Sequence, residues 1–114
     1  MTENGFDVSV AKRGEDAVLE MSGTVTRTAQ EKMEAAYREA TAGSRRVLLD
    51  FGAVEYINST GIAVIVGLLA MARADKREIG AFGLSDHYRK VFQITRLSDF
   101  LIIYDDESAA AAAT

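Results

Sequence analysis

The sequence predicts an α/β fold in which helices pack on a mixed β-sheet of four to five strands. Short apolar segments alternate with longer segments whose apolar residues recur every three or four positions, as expected for strands followed by helices. A compact apolar run at residues 46–51 is typical of a central strand buried on both faces. Residues 62–72 are apolar or glycine throughout, which predicts a buried helix because a membrane span needs about 20 such residues. The predicted order is β-β-α-β-α-β-α-β, with or without a final helix.

The chain begins with a predicted β-hairpin. Residues 6–10 alternate apolar and polar side chains, which is the period of a half-buried strand. Residues 17–21 form a second apolar strand, which Ser22 and Gly23 are predicted to end. Residues 13–16 lie between the two strands and contain glycine and acids, as is typical of a tight turn.

An amphipathic helix is predicted next. Thr28 and Glu31 have the spacing of a capping box, and Gly43 is placed to end the helix. Glu34 and Arg38 have the favourable order for an ion pair between residues four apart. The residues expected to face the sheet are Ala29, Met33, Ala36, Tyr37 and Ala40.

The centre of the chain predicts a parallel β-α-β unit. Residues 46–51 are the strand, residues 52–56 connect, and residues 58–60 supply cap-type side chains before a helix at about 62–75. This helix is expected to be buried on two sides, the second covered by a neighbouring helix or a partner. One stripe is large and apolar (Ile62, Ile65, Leu69, Ala72), and the other is small (Ala63, Gly67, Ala70, Ala74).

The remaining residues predict two strands and one or two helices. Residues 78–83 are a short strand, Ser85 caps a third helix, and residues 100–104 are the last strand. Residues 105–114 are either a short terminal helix opened by acids or a frayed tail. No linker or repeat is visible, so one domain over residues 1–114 is expected.

Composition excludes several classes of function. Thirteen basic and 17 acidic residues give a net charge of −4, which predicts no direct binding of nucleic acid and no membrane partner. Without cysteine there is no thiol catalysis, disulfide, zinc finger or iron–sulfur cluster. The single His87 cannot form a metal cluster by itself and is expected to be exposed, whereas Asp50 is expected to hydrogen-bond the following loop. Neither a phosphate-binding glycine motif nor a nucleophile elbow occurs, so no cofactor and no enzymatic activity are predicted.

The segment Asn58-Ser59-Thr60-Gly61 is the most informative one. One interpretation is a helix N-cap, because these side chains accept hydrogen bonds from the first N–H groups of a helix. A second, compatible interpretation is a modifiable hydroxyl at the helix start. A phosphate there adds about −1.5 to −2 charge to the surface without melting the helix, so it controls a partner by repulsion.

Four stretches together resemble the STAS domain of bacterial anti-sigma factor antagonists. They are Val-Leu-Leu-Asp-Phe at 47–51, Val-Glu-Tyr-Ile-Asn-Ser-Thr-Gly-Ile at 54–62, the helix with Gly-Leu at 67–68, and Gly-Leu-Ser-Asp-His-Tyr-Arg-Lys-Val-Phe at 83–92, which continues through 95–97 to 103. The resemblance implies that Ser59 is the phosphorylation site. It also implies that the partners are an anti-sigma factor serine kinase of the ATPase fold and a PP2C-type phosphatase. A cytoplasmic protein is expected on separate grounds, because the first residues, with Glu3 and Asp7, lack the basic start and apolar core of a signal peptide. ATP then belongs to the partner, and this chain needs no cofactor.

Two positions depart from the family pattern, and both lose a negative charge. Asn58 stands where the family has Asp, and Thr26 stands where an acid is common. The expected partner surface consists of Thr26, Asn58, Ser59, Thr60, Gly61, Ile62 and Ala63. Gly61 is expected to let a partner's backbone approach, while core packing is an equal alternative for Ile62 and Ala63. A STAS scaffold or ligand-binding domain without phosphate control is the alternative function, and the oligomeric state stays open.

Overall fold

The structure, a computed structural model, describes residues 5–113 and confirms the α/β class and the predicted element order. The strands are β1 Asp7–Arg13, β2 Asp16–Val25, β3 Arg46–Ile57, β4 Glu78–Phe82 and β5 Ile102–Ile103. The helices are α1 Gln30–Thr41, α2 Ser59–Ala74, α3 Asp86–Ile94 and α4 Glu107–Ala112. Two 3₁₀ turns, Arg27–Ala29 and Leu97–Asp99, precede α1 and β5.

The five strands form one mixed sheet in the order β1-β2-β3-β4-β5. Strand β1 pairs with β2 in antiparallel fashion, as the predicted hairpin requires, and the other neighbours are parallel. Helices α1, α2 and α3 each connect two neighbouring parallel strands. Every parallel pair needs such a crossover, and here strands that follow one another along the chain are also neighbours in the sheet.

The sheet carries a large apolar cluster on one face and a small one on the other. Alternate residues of the central strands, such as Leu19 and Leu49, pack with α1, α2 and α3 in the large cluster, where the rings of Phe51 and Phe92 meet edge to face at 5.6 Å. The small cluster consists of Val18, Leu48, Phe82 and, from α4, Ala110.

Strands β2 and β3 are longer than the sequence predicts. The prediction that Ser22 and Gly23 end β2 is wrong, and so is the prediction that residues 52–56 connect β3 to α2. The two segments pair with each other from Ser22↔Ala53 to Val25↔Ile57, with irregular register on the way. The backbone N–H and C=O groups of the two segments hydrogen-bond each other. Ala53 and several neighbouring side chains are exposed, so an apolar pattern does not reveal the extension.

The start of α1 also differs from the prediction. The Thr28–Glu31 capping box is wrong: Thr26 Oγ1 accepts the Thr28 N–H at 3.3 Å and caps the 3₁₀ turn, while α1 begins at Gln30 without a side-chain cap. Thr28 therefore lies inside a turn. The predicted core-facing residues of the segment are all buried, and Arg38 pairs with Glu34 at 3.8 Å as predicted.

Helix α2 begins at Ser59, three residues before the predicted start, and is buried on one side only. Its large apolar stripe packs on the sheet, but its small stripe is exposed. Within residues 5–113 no helix covers that stripe, so burial on two sides is wrong for this chain alone. Strand β5 is also shorter than predicted, because Phe100 lies outside the ladder with half of its surface exposed.

Helix α4 is anchored by a buried arginine. Arg46 donates to Asp16 at 2.7 Å, to the Ala110 carbonyl at 2.9 Å and to the Tyr104 hydroxyl at 3.3 Å. Asp106 Oδ1 caps the helix by accepting the Ala109 N–H at 2.8 Å. Of the two predicted alternatives for the end of the chain, residues 107–112 adopt the helix.

Candidate functional site

The start of α2 is held at the ends of β2 and β3. Asn58 follows the last residue of β3, and its N–H donates to the carbonyl of Val25, the last residue of β2, at 3.2 Å. The Tyr88 hydroxyl of α3 accepts the Ile57 N–H at 2.9 Å. Two strand ends and one neighbouring helix therefore position Ser59, the first residue of α2.

Asn58 is the N-cap of α2, as the cap interpretation of the segment predicts. Its Oδ1 accepts the Gly61 N–H at 2.8 Å and the Thr60 hydroxyl at 2.8 Å. Thr60 Oγ1 in turn accepts the Arg27 N–H at 3.0 Å, which joins the 3₁₀ turn to the helix start. The polar side chains on both sides of Ser59 are thus engaged in structural hydrogen bonds.

Ser59 itself is exposed, and within residues 5–113 its hydroxyl makes no hydrogen bond. It lies in the first turn of a helix, where backbone N–H groups and the positive end of the helix dipole face solvent. The Ser59 hydroxyl is therefore accessible and unengaged at the start of α2, in surroundings that favour an added negative charge.

A groove of about 370 Å³ runs from Ser59 along α2, between that helix and the start of α1. The charged residues that line it are Arg27 and Glu34. Glu34 is engaged by Gln30 Nε2 at 3.0 Å and by Arg38 at 3.8 Å. The α2 wall is formed by Ser59, Thr60, Ala63, Val64 and Gly67.

Gly61 has a role inside the chain that differs from the expected contact with a partner's backbone. It is buried, and a Cβ on it would overlap the Val25 carbonyl oxygen and lie 2.6 Å from the carbonyl carbon. The backbone that approaches Gly61 is therefore that of β2. The sequence offers a glycine in the right place but no sign of which backbone it accommodates.

The other residues of the expected partner surface are divided between surface and core. Ala63 is exposed in the groove, whereas Ile62 is half-buried against the large apolar cluster. Thr26 is half-buried, and its hydroxyl lies 2.9 Å from that of Thr28. The exposed polar centre of the surface is consequently Ser59, with Thr60 beside it.

The remaining candidates do not join this site. His87 is exposed on α3 as expected, with its ring 4.7 Å from that of Tyr88, and Asp50 accepts the Gly52 N–H at 2.8 Å, as predicted. The described residues hold no group of three potential metal ligands. In the same part of the chain, every helix is too short or too polar to cross a bilayer. The hydroxyl contact of Tyr88 was missed, because a tyrosine on an apolar helix face gives no sequence signal for it.

Comparisons with known proteins agree with this architecture. The family model described as "Mlab, STAS domain" matches residues 8–103. The putative anti-sigma factor antagonist BtrV of Bordetella bronchiseptica is 32% identical over 94 residues, which are 82% of this chain and 81% of that protein. The anti-sigma-B factor antagonist of Listeria monocytogenes is 41% identical over 59 residues, 52% of each chain.

Solved structures share the fold. An anti-sigma factor antagonist from Mycobacterium paratuberculosis superposes with a TM-score of 0.79 at 18% identity, over 98% of this chain and 96% of that one. The unphosphorylated form of the anti-sigma factor antagonist SpoIIAA superposes with a TM-score of 0.68 at 20% identity, over 95% and 94%. Given the family match over most of the chain, the relative that aligns along four-fifths of it and the shared fold, this chain belongs to the STAS domain family of anti-sigma factor antagonists.

Proposed function

We propose that this chain acts as a phosphorylation-controlled anti-sigma factor antagonist. Unphosphorylated, it binds an anti-sigma factor that is itself a serine kinase of the ATPase fold, and this binding releases the sigma factor. Phosphorylation of Ser59 by that kinase ends the complex, and a PP2C-type phosphatase reverses the modification. The observation that carries the proposal is the exposed, unengaged Ser59 hydroxyl at the start of α2, between two side chains held in hydrogen bonds.

The chemistry is phosphoryl transfer from ATP held by the kinase. Ser59 Oγ attacks the γ-phosphorus, the bond from that phosphorus to the β,γ-bridging oxygen breaks, and ADP leaves. The hydroxyl proton passes to a base on the kinase. In the reverse direction water attacks the phosphorus, the bond to Ser59 Oγ breaks, and inorganic phosphate leaves. The nucleotide belongs to the partner, so this chain acts as a regulatory substrate and has no cofactor.

Phosphorylation is expected to change the surface and to leave the fold intact. The phosphate adds about −1.5 to −2 charge at neutral pH, which the positive end of the α2 dipole tolerates. A partner that approaches this surface must then desolvate and oppose the new charge. Two comparisons support this proposal. The relatives are named as anti-sigma factor antagonists, and the structural neighbour SpoIIAA has been solved in both a phosphorylated and an unphosphorylated form.

The two departures from the family pattern leave the geometry of the site in place. Asn58 provides the same cap through its Oδ1 that an aspartate provides through a carboxylate oxygen. Thr26 caps the 3₁₀ turn through its hydroxyl. The loss of two charges therefore alters the electrostatics that a kinase or phosphatase meets, while the Ser59 hydroxyl stays accessible.

Phosphorylation is tested with the cognate kinase, ATP and mass spectrometry of the intact protein. The wild type should gain one phosphate and Ser59→Ala none. Ser85→Ala is the matched control, because Ser85 is also a serine at a helix start, where its hydroxyl accepts the Tyr88 N–H. Equal rates of phosphate incorporation in wild type and Ser59→Ala would reject Ser59 as the site.

Partner control is tested by the affinity for the kinase in the absence of ATP. Ser59→Ala should bind like the wild type, since it adds no charge, and Ser59→Asp should bind at least tenfold more weakly, which corresponds to about 1.4 kcal/mol. Equal affinity of the two variants would contradict the switch and favour a STAS domain that assembles constitutively.

A further inference from the structure

We propose that the guanidinium of Arg27 binds the phosphate of phosphorylated Ser59, so that the modified state contains an ion pair across the groove between α1 and α2. This inference rests on the proposed function, because it describes the regulated state of the same site. It assigns to Arg27 a role that the partner surface expected from the sequence did not include.

The backbone of Arg27 is fixed beside the acceptor. Its N–H donates to Thr60 Oγ1 at 3.0 Å, and Thr60 is the residue that follows Ser59. Arg27 is itself exposed and lines the same groove as Ser59. A long side chain that starts from a fixed backbone next to the acceptor can reach its phosphate without any rearrangement of the fold.

Arg27 is also the charged residue of the groove that has no ion-pair partner within residues 5–113. Among residues 5–113 it has no carboxylate within ion-pair distance. The acid that lines the groove, Glu34, is already engaged by Gln30 and Arg38. A dianionic phosphate on Ser59 would thus meet an unpaired guanidinium on one side and an acid whose charge is partly compensated on the other.

The residue before Arg27 offers no competing acid. An acid at position 26 would compete for the guanidinium, but Thr26 is neutral and its hydroxyl is occupied by Thr28. Guanidinium groups bind phosphate through two parallel N–H donors, so the pair has a defined geometry in addition to its electrostatic attraction. The absence of an acid at this position thereby leaves Arg27 available for the phosphate.

The consequence is that phosphate acts on the partner in two ways. It adds charge, and by bridging to Arg27 it covers the entrance of the groove beside Ala63. A carboxylate carries one charge and fewer acceptor oxygens. Ser59→Asp should therefore weaken partner binding less than phosphoserine does.

The test uses the full chain with phosphoserine incorporated at position 59 during translation, so that no kinase is needed. Phosphorus NMR follows the second ionisation of the phosphate as a function of pH. A nearby cation stabilises the dianion, so Arg27→Gln should raise the titration midpoint by about 0.5 pH unit, and Arg27→Lys should fall between the two. Glu34, the other charged residue that faces the phosphate across the groove, is unchanged in all these proteins.

Arg73→Gln is the matched control, because Arg73 lies on the same helix about 21 Å further along its axis. Its midpoint should equal that of the wild type, and 1 M NaCl should reduce the difference between wild type and Arg27→Gln. Amide spectra of the variants show whether each is folded. A midpoint that is the same in folded wild type and folded Arg27→Gln would overturn the pairing.

The outcome is independent of the proposed switch. If the phosphorylated protein binds the kinase as tightly as the unmodified one while Arg27→Gln still shifts the midpoint, the switch fails and the ion pair stands. If binding is lost while the midpoints coincide, the switch stands and Arg27 has no part in it.

Discussion

Replacement of Gly61 by alanine should destabilise the fold at the candidate site. The new Cβ would lie 2.6 Å from the Val25 carbonyl carbon and 3.2 Å from Ile57 Cγ2. The Val25 carbonyl also accepts the Asn58 N–H, so the end of β2 cannot retreat without weakening that bond. Overpacking costs about 1–3 kcal/mol and the strained hydrogen bond about 1 kcal/mol more, against about 1 kcal/mol gained from helix propensity. The net loss is about 1–3 kcal/mol.

Gly67→Ala is the matched control on the same helix. Nothing lies within 4 Å of a Cβ at this position, so only the propensity gain of about 1 kcal/mol remains. The two variants should therefore differ by about 2–4 kcal/mol in the free energy of unfolding. With an m-value of about 2 kcal/mol/M, their urea midpoints measured by circular dichroism should lie about 1–2 M apart, on opposite sides of the wild type. If Gly61→Ala is stabilised like Gly67→Ala, the close approach of β2 to α2 is refuted.

Three further predictions concern stability. Lys76 follows the C-cap of α2 with φ +56°, so Lys76→Gly should raise the free energy of unfolding by about 0.5–1 kcal/mol in the same urea assay; a loss would contradict strain at this position. Arg46→Ala leaves Asp16 buried without its cation, so it should lower the free energy of unfolding by about 3–5 kcal/mol. It also removes the bond to Ala110, so the amides of α4 should exchange hydrogen faster; unchanged exchange would contradict the role of Arg46 in holding α4. Burial, together with the hydrogen bond to Asp75, raises the pKa of Tyr37 to about 12. The folded state then keeps a proton that the unfolded state loses above pH 10, so stability should fall between pH 10 and 12, and Tyr37→Phe should flatten this fall in alkaline titrations followed by urea unfolding.

The fold was largely predictable because its elements follow simple periodicities. The helical spacing from Met33 to Ala40 identified the buried face of α1, and the run at residues 46–51 identified the first half of β3. The second half of β3 was missed because it is held by backbone pairing to β2, which leaves exposed side chains such as Tyr56 without an apolar pattern.

The candidate site was predictable in its residue types and less so in its contacts. A cap-type segment before an apolar helix identified Asn58 and Ser59. The sequence did not indicate that Thr60 bonds the backbone of Arg27, or that Gly61 accommodates Val25, because both contacts join segments more than 30 residues apart. The predicted capping box at Thr28 was wrong because a 3₁₀ turn precedes α1, so the helix begins at Gln30, after Thr28.

The position of Arg46 has a consequence for the order in which the chain folds. Its hydrogen bond to Ala110 spans 64 residues, and its contact with Tyr104 spans 58. During synthesis, β2, α1 and β3 can pair before either partner has left the ribosome, but the guanidinium then lacks two of its acceptors. Contacts of such long sequence separation form late and slow the final step of folding. A chain truncated before Ala110 should therefore be more sensitive to proteases than residues 1–114, even though it contains all residues of the Ser59 site.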